Sequence, residues 1–196
     1  MLIVTAVIAT TIDTPTRVPI NPFNFFGYFT IQSNLIMAAV FLAVAVRSFR
    51  GLPDSQWLQL ARACATSYMV VVGIVYALLL APLGAAGGVP LPWANTVLHV
   101  VVPIYAVVDW IVIGDRRPVS YRYLWVAAVY PLLWCGVVLV RGATDGWVPY
   151  PFLDQGNGMA SVLTYVALIA ATVIGVAALI FWASRMQGVA SRSGRM

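Results

Sequence analysis

Met159-Ala-Ser-Val-Leu-Thr-Tyr-Val-Ala-Leu-Ile-Ala-Ala-Thr-Val-Ile-Gly-Val-Ala-Ala-Leu-Ile-Phe-Trp-Ala183 runs for 25 residues without one charged side chain. A helix rises 1.5 Å per residue, so about 20 apolar residues cross the roughly 30 Å hydrocarbon core of a bilayer. This stretch is long enough to do so and reads as a membrane span. Working outward, four more segments pass the same test: Phe25 to Val46, Ala61 to Ala81, Ala94 to Ile113 and Tyr121 to Val140. Each lacks internal charge except Ala94 to Ile113, which carries His99 and Asp109. Met1 to Ile12 is apolar too, but twelve residues reach only about 18 Å and cannot cross alone. It lacks the basic leader and small-residue cleavage site of a signal peptide, so it reads as the end of a first helix that is short or truncated. The expected fold is an all-α integral membrane bundle of six helices, with residues 1–187 as a single transmembrane domain and 188–196 as a flexible cytoplasmic tail.

The whole-chain composition agrees. Hydrophobic residues make up 62% and charged residues 9%, against roughly 45–50% and 25% in a soluble domain. A soluble globule is excluded. Lysine and glutamate are absent, and the net charge of +5 arises from 11 Arg against 6 Asp, scattered between apolar stretches without forming one basic patch. Nucleic-acid binding has no support in that pattern. Cys64 and Cys135 are far apart, with no Cys-x-x-Cys or Cys/His cluster, so they read as small packing residues, and no metal or other cofactor is expected. Nine of the eleven arginines flank the loop near Arg47 to Arg62, the loop near Arg116 to Arg122, and the tail from Arg185. Short Arg-rich loops stay in the cytoplasm, which places both termini inside and leaves the loops at 13–24, 82–93 and 141–158 outside. The expected location is a membrane crossed several times. Trp57, Trp93, Trp125, Trp147 and Trp182 lie near span ends and read as an interfacial belt.

Polar groups inside spans are expensive and commonly functional. Two places stand out. In Tyr28-Phe29-Thr30-Ile31-Gln32-Ser33-Asn34 the spacing puts Thr30, Ser33 and Asn34 on one helix face and Gln32 on another. His99, the only histidine, enters its helix from the same side. Counted from the expected helix starts, Thr30 and His99 both lie about five residues, or roughly 8 Å, in. A hydroxyl and an imidazole at matched depth are the minimum for nucleophilic acyl transfer, provided that the imidazole is neutral and can take the hydroxyl proton. Ser33, Asn34 and Asn95 are candidates to bind the substrate or its oxyanion. Asp109 is ten residues from His99 on one helix, about 15 Å away, and cannot orient the ring. Asn95, one turn above, or Asp154 from an outer loop must do that, and Asp109 is expected to pair with Arg47, Arg62 or Arg116.

These same residues resemble a known family. Asn24-Phe25-Phe26-Gly27-Tyr28-Phe29-Thr30-Ile31-Gln32-Ser33-Asn34-Leu35, then Leu98-His99-Val100-Val101-Val102-Pro103 followed by Asp109-Trp110, then Tyr130-Pro131 and Tyr150-Pro151-Phe152-Leu153-Asp154, are similar to the bacterial Pr6Pr membrane proteins. Those are relatives of the androgen-induced gene 1 / FAR-17a (AIG1-like) intramembrane threonine hydrolases. The resemblance covers the chain from Asn21 onward. It implies six helices and a threonine hydrolase that cleaves fatty acid esters of hydroxy fatty acids, with Thr30 as nucleophile and His99 as base.

The reading is therefore a lipid-ester hydrolase whose partners are the bilayer and a membrane lipid or fatty acid ester. Its rival is a non-catalytic lipid-binding or transport bundle with a polar cavity around His99. A bis-His cytochrome needs a second histidine, which the chain lacks.

Overall fold

The structure, a computed structural model, describes residues 1–13, 21–53, 55–87, 89–112 and 117–186. Every regular element among them is helical. In chain order these are α1 (Leu2–Asp13), α2 (Pro22–Phe25), α3 (Phe29–Phe49), α4 (Gln56–Val75), α5 (Pro92–Thr96), α6 (Val102–Val112), α7 (Leu124–Thr144) and α8 (Met159–Ala183). Wider π-helical turns at Tyr76–Leu80 and Val97–Val101 prolong α4 and join α5 to α6. Five helical rods are long and apolar enough to cross a membrane: Phe29–Phe49, Gln56–Gly84, Pro92–Val112, Tyr121–Thr144 and Met159–Ala183. The chain is a multi-pass membrane bundle. The twelve residues of α1 stop short of a full crossing and pack against α3 and α5.

The rod that starts with α4 is the most buried of the five, with 56% of its apolar window inside the protein. It packs on α3, α6 and α8, while α7 packs chiefly on α8. Ser55 starts α4 by accepting the Leu58 N–H at 3.2 Å, one of the donors a helix leaves open at its first turn. At the far end from Thr30, Arg62 meets Asp109 with Nη2 at 2.8 Å and Nε at 3.1 Å from Oδ2. Of the three expected partners of Asp109, this is the one the fold selects. Arg47 instead donates to the Pro53 carbonyl, and residue 116 lies outside the described residues, as does the tail at 188–196.

One sequence expectation shifts. The span expected from Phe25 begins at Phe29, because the chain breaks between α2 and α3 at Gly27 and Tyr28. Trp147 has a further part beyond the expected belt: its ring lies 4.2 Å from the Arg141 guanidinium and edge-on to Tyr28. Cation–π attraction and packing hold it there, so it belongs to the support of the turn that carries Thr30.

Candidate active site

The site begins with a turn. Asn21 caps α2 by accepting the Phe23 N–H at 2.9 Å, and Pro22 fills a first-turn position that needs no N–H. At Gly27 there is no space for a side chain, since a Cβ would lie 2.6 Å from Trp147 Cη2 and 2.9 Å from the Phe23 carbonyl. The Gly27 carbonyl accepts the Trp134 indole N–H at 2.8 Å. Tyr28 then turns extended (φ −66°, ψ 132°) and α3 starts at once. Thr30 consequently occupies the first turn of α3, where its backbone N–H has no acceptor in its own helix. That is shallower than the depth counted from Phe25.

The opposing wall is built by the two π-helical turns. Each is followed by a proline, Pro82 after Tyr76–Leu80 and Pro103 after Val97–Val101. Pro103 lacks the N–H that would bond the His99 carbonyl four residues back, and Pro82 does the same to Leu78. The freed carbonyls favour the wider turn, a feature common at functional sites. Tyr76 opens one such turn and His99 sits in the other, with their rings stacked 4.3 Å apart at 24°. Asn95 ties the pair together. Its Nδ2 donates to the Tyr76 hydroxyl at 2.7 Å, its Oδ1 accepts the Val89 N–H at 3.0 Å, and its backbone carbonyl lies 3.1 Å from His99 Nδ1.

That last contact sets the ring's proton. A carbonyl can only accept, so Nδ1 carries the hydrogen and Nε2 of the neutral ring is left with a lone pair. Thr30 Oγ1 lies 3.3 Å from Nε2 and can direct its only proton there. The Tyr150 hydroxyl stands 3.4 Å from both Thr30 Oγ1 and the Thr30 N–H. Burial pushes the Tyr150 phenol up to about 12, partly opposed by its bonds to Thr30, so at neutral pH it is a protonated donor. The result is a chain in which Tyr150 donates to Thr30 Oγ1, Thr30 to His99 Nε2, and His99 Nδ1 to the Asn95 carbonyl. Thr30 is 6% exposed and His99 4%, so water competes little for these bonds.

The other sequence candidates take different places. Asn34 donates both amide hydrogens, to the Thr30 carbonyl at 2.9 Å and the Leu98 carbonyl at 3.2 Å. It thereby holds the first turn of α3 against the segment bearing His99, and its Oδ1 is buried with no hydrogen-bond partner among the described residues. Ser33 Oγ is buried as well and faces the Tyr130 hydroxyl. Gln32 faces elsewhere, donating to the Phe26 carbonyl and accepting from Tyr130. Asp154 accepts the Gly156 N–H at 2.8 Å and caps a turn, so its carboxylate is committed there while Asn95 meets the histidine ring. The motif Tyr150-Pro151-Phe152-Leu153-Asp154 gives no sign in sequence that Tyr150 reaches Thr30. Its ring is fixed by stacking on Phe152 at 5.3 Å and edge-on contact with Tyr28 at 5.8 Å.

Beside the pair lies a cavity of about 190 Å³ whose wall includes Thr30 and Tyr150 and no charged residue. Residues 2–188 match the sequence model of a family described as FAR-17a/AIG1-like protein. No curated protein and no solved structure matches the chain.

Proposed function

The chain belongs to the FAR-17a/AIG1-like family, and from that membership and the geometry around Thr30 we propose that it is an intramembrane lipid-ester hydrolase with a threonine nucleophile. The observation that carries this reading is the approach of Thr30 Oγ1 to the lone-pair nitrogen of a histidine whose other nitrogen is held by a carbonyl. The 3.3 Å separation is loose for a hydrogen bond, as is common before substrate tightens a catalytic contact.

Thr30 Oγ1 attacks the ester carbonyl carbon while its proton passes to His99 Nε2. The tetrahedral intermediate collapses, the bond to the alcohol oxygen breaks, and that oxygen takes the proton from His99. A water molecule then gives a proton to His99 and attacks the acyl-threonine. When the acyl bond to Thr30 breaks, Oγ1 recovers the proton and the free acid departs. Charge developing on the carbonyl oxygen needs donors that are already in place. Both amide hydrogens of Asn34 and one of Asn95 bond other acceptors, and the donors that stand beside Oγ1 are the Thr30 N–H and the Tyr150 hydroxyl, to which we assign this role. The Tyr150 hydroxyl can turn from Thr30 Oγ1 to the oxyanion, while the Thr30 N–H is fixed in the first turn of α3. The apolar cavity beside Thr30 favours a lipid ester over a polar one.

On this reading the Thr30 end of the bundle faces away from the cytoplasm, following the arginine distribution, and the membrane is a bacterial cytoplasmic one. A fluorophosphonate probe applied to the detergent-purified protein tests the chemistry. The expected result is a covalent adduct on Thr30, identified by peptide mass spectrometry and lost in His99→Ala. An unlabelled Thr30 in protein that keeps its fold favours the rival reading, a lipid-binding bundle with a polar cavity around His99.

A further inference from the structure

The cavity beside Thr30 is elongated and has a mouth. On α7 its lining runs from Ala128 to Cys135 and on α8 from Val166 to Ile174, which correspond to about 10 Å and 12 Å along the two axes. Pro131 lines the cavity in mid-α7, where it removes a helical hydrogen bond and makes room. Leu132, on the same wall, is 56% exposed, and Ala128, Cys135, Ile169 and Ala170 around it are half-buried. The mouth therefore opens between α7 and α8. These are the two least buried spans, with 11% and 22% of their apolar windows inside the protein, so the surface around the mouth faces lipid. Thr30 and Tyr150 supply the hydroxyls of the lining, and every other wall group is apolar apart from the Cys135 thiol and the Trp134 indole, whose N–H is bonded to the Gly27 carbonyl.

Resting on the hydrolase reading above, we propose that this slot holds the acyl half of the ester, taken sideways from the bilayer between α7 and α8, and that Ala128 and Ala170 set how much chain it accepts. In a two-step hydrolysis the acyl half stays on Thr30 after the alcohol has left, so it is the half that needs an enclosed site. A hydrocarbon chain asks no hydrogen bond of the wall and leaves no donor unpaired, whereas an alcohol carrying further polar groups has no partner in the slot. A chain already in lipid gains little from apolar burial alone. Selection must then come from shape, and small residues at the mouth are where shape is adjustable.

The test compares hydrolysis of 4-nitrophenyl palmitate and 4-nitrophenyl acetate by the purified protein in nanodiscs. Ala170→Phe should lower the palmitate-to-acetate ratio of kcat/KM by about tenfold, the scale expected for overfilling a packed site. Ala171→Phe, on the exposed face of α8 next door, should leave the ratio unchanged. Independently of turnover, Cys135 reports on occupancy. In Thr30→Ala, palmitate ester should slow modification of Cys135 by N-ethylmaleimide, with the buried Cys64 as the internal reference. Hydrolysis that depends on Thr30 but shows neither the changed ratio nor protection of Cys135 overturns the slot and leaves the hydrolase standing. Protection of Cys135 in a protein that never releases acid upholds the slot and overturns the hydrolase.

Discussion

Replacing Tyr150 by Phe removes one hydroxyl and keeps the ring that packs on Phe152 and Tyr28. Two roles for that hydroxyl predict different losses. If it only positions Thr30 in the resting site, the loss is that of a neutral hydrogen bond, about 0.5–1.5 kcal/mol, or at most about a tenfold fall in rate. The two contacts are 3.4 Å long, which puts a resting-state effect at the lower end. If it donates to the oxyanion, the bond strengthens as charge develops, and losing one such donor costs about 10²–10³ in kcat. The hydroxyl stands beside Thr30 Oγ1, where the oxyanion would form, so the second role is the one expected, with kcat falling by about 10² or more and KM little changed. The assay is steady-state release of nitrophenol or free fatty acid in nanodiscs, beside thermal unfolding to confirm an intact fold. Retention of a third or more of wild-type kcat would refute the oxyanion role. The phenol also carries a sign for pH. Its folded value is raised to about 12 by burial, so the protonated donor persists as pH rises through 10, and any activity loss that belongs to Tyr150 should begin only near its raised value.

Three further outcomes follow from the same geometry. Tyr76→Phe keeps the stack on His99 but loses the bond from Asn95, and should lower kcat about fivefold. Tyr76→Leu loses both and should lower it about thirtyfold, with KM unchanged in each case; equal losses in the two variants would contradict a positioning role. Replacing Arg62 by Met strands the buried Asp109 carboxylate and should lower unfolding stability in detergent by about 3–5 kcal/mol, whereas adding Asp109→Leu should recover most of that loss. In Gly27→Ala the new Cβ meets Trp147 and the Phe23 carbonyl. Stability should fall by about 1–3 kcal/mol and ester hydrolysis should fall with it, because the turn that aims Thr30 must move; an unchanged melting temperature would mean that the turn is loose.

The elements most legible in the sequence are those governed by length and polarity alone. Met159–Ala183 forms its helix over the stretch that its lack of charge marks out, because crossing a bilayer constrains composition at every position. Asp109 was legible for a related reason: a buried carboxylate near a span end needs a cation, and several arginines were in reach. The start of α3 was less legible. Gly27 lies in the break, and Trp147, 120 residues later in the chain, fills the space that a side chain there would need. Composition gives no warning of such a contact. The spacing Thr30, Ser33, Asn34 placed these residues on one buried face, but periodicity cannot say that the Asn34 amide is spent on two carbonyls. Pro103, four residues after His99, was the local sign of a widened turn at the histidine. Tyr150 comes from a loop, where neither helical spacing nor hydropathy limits which side chain reaches the first turn of another helix.

The central claim is that Thr30 and His99 act as one catalytic unit. The direct measurement is free fatty acid release from a panel of lipid esters by wild type, Thr30→Ala, His99→Ala and the double variant, each shown to be folded in nanodiscs. Residues that serve one step are strongly non-additive, so each single variant should fall to background and the double variant should be no lower than either. Near-full activity in either single variant, or release that is independent of Thr30 for every ester, would contradict it.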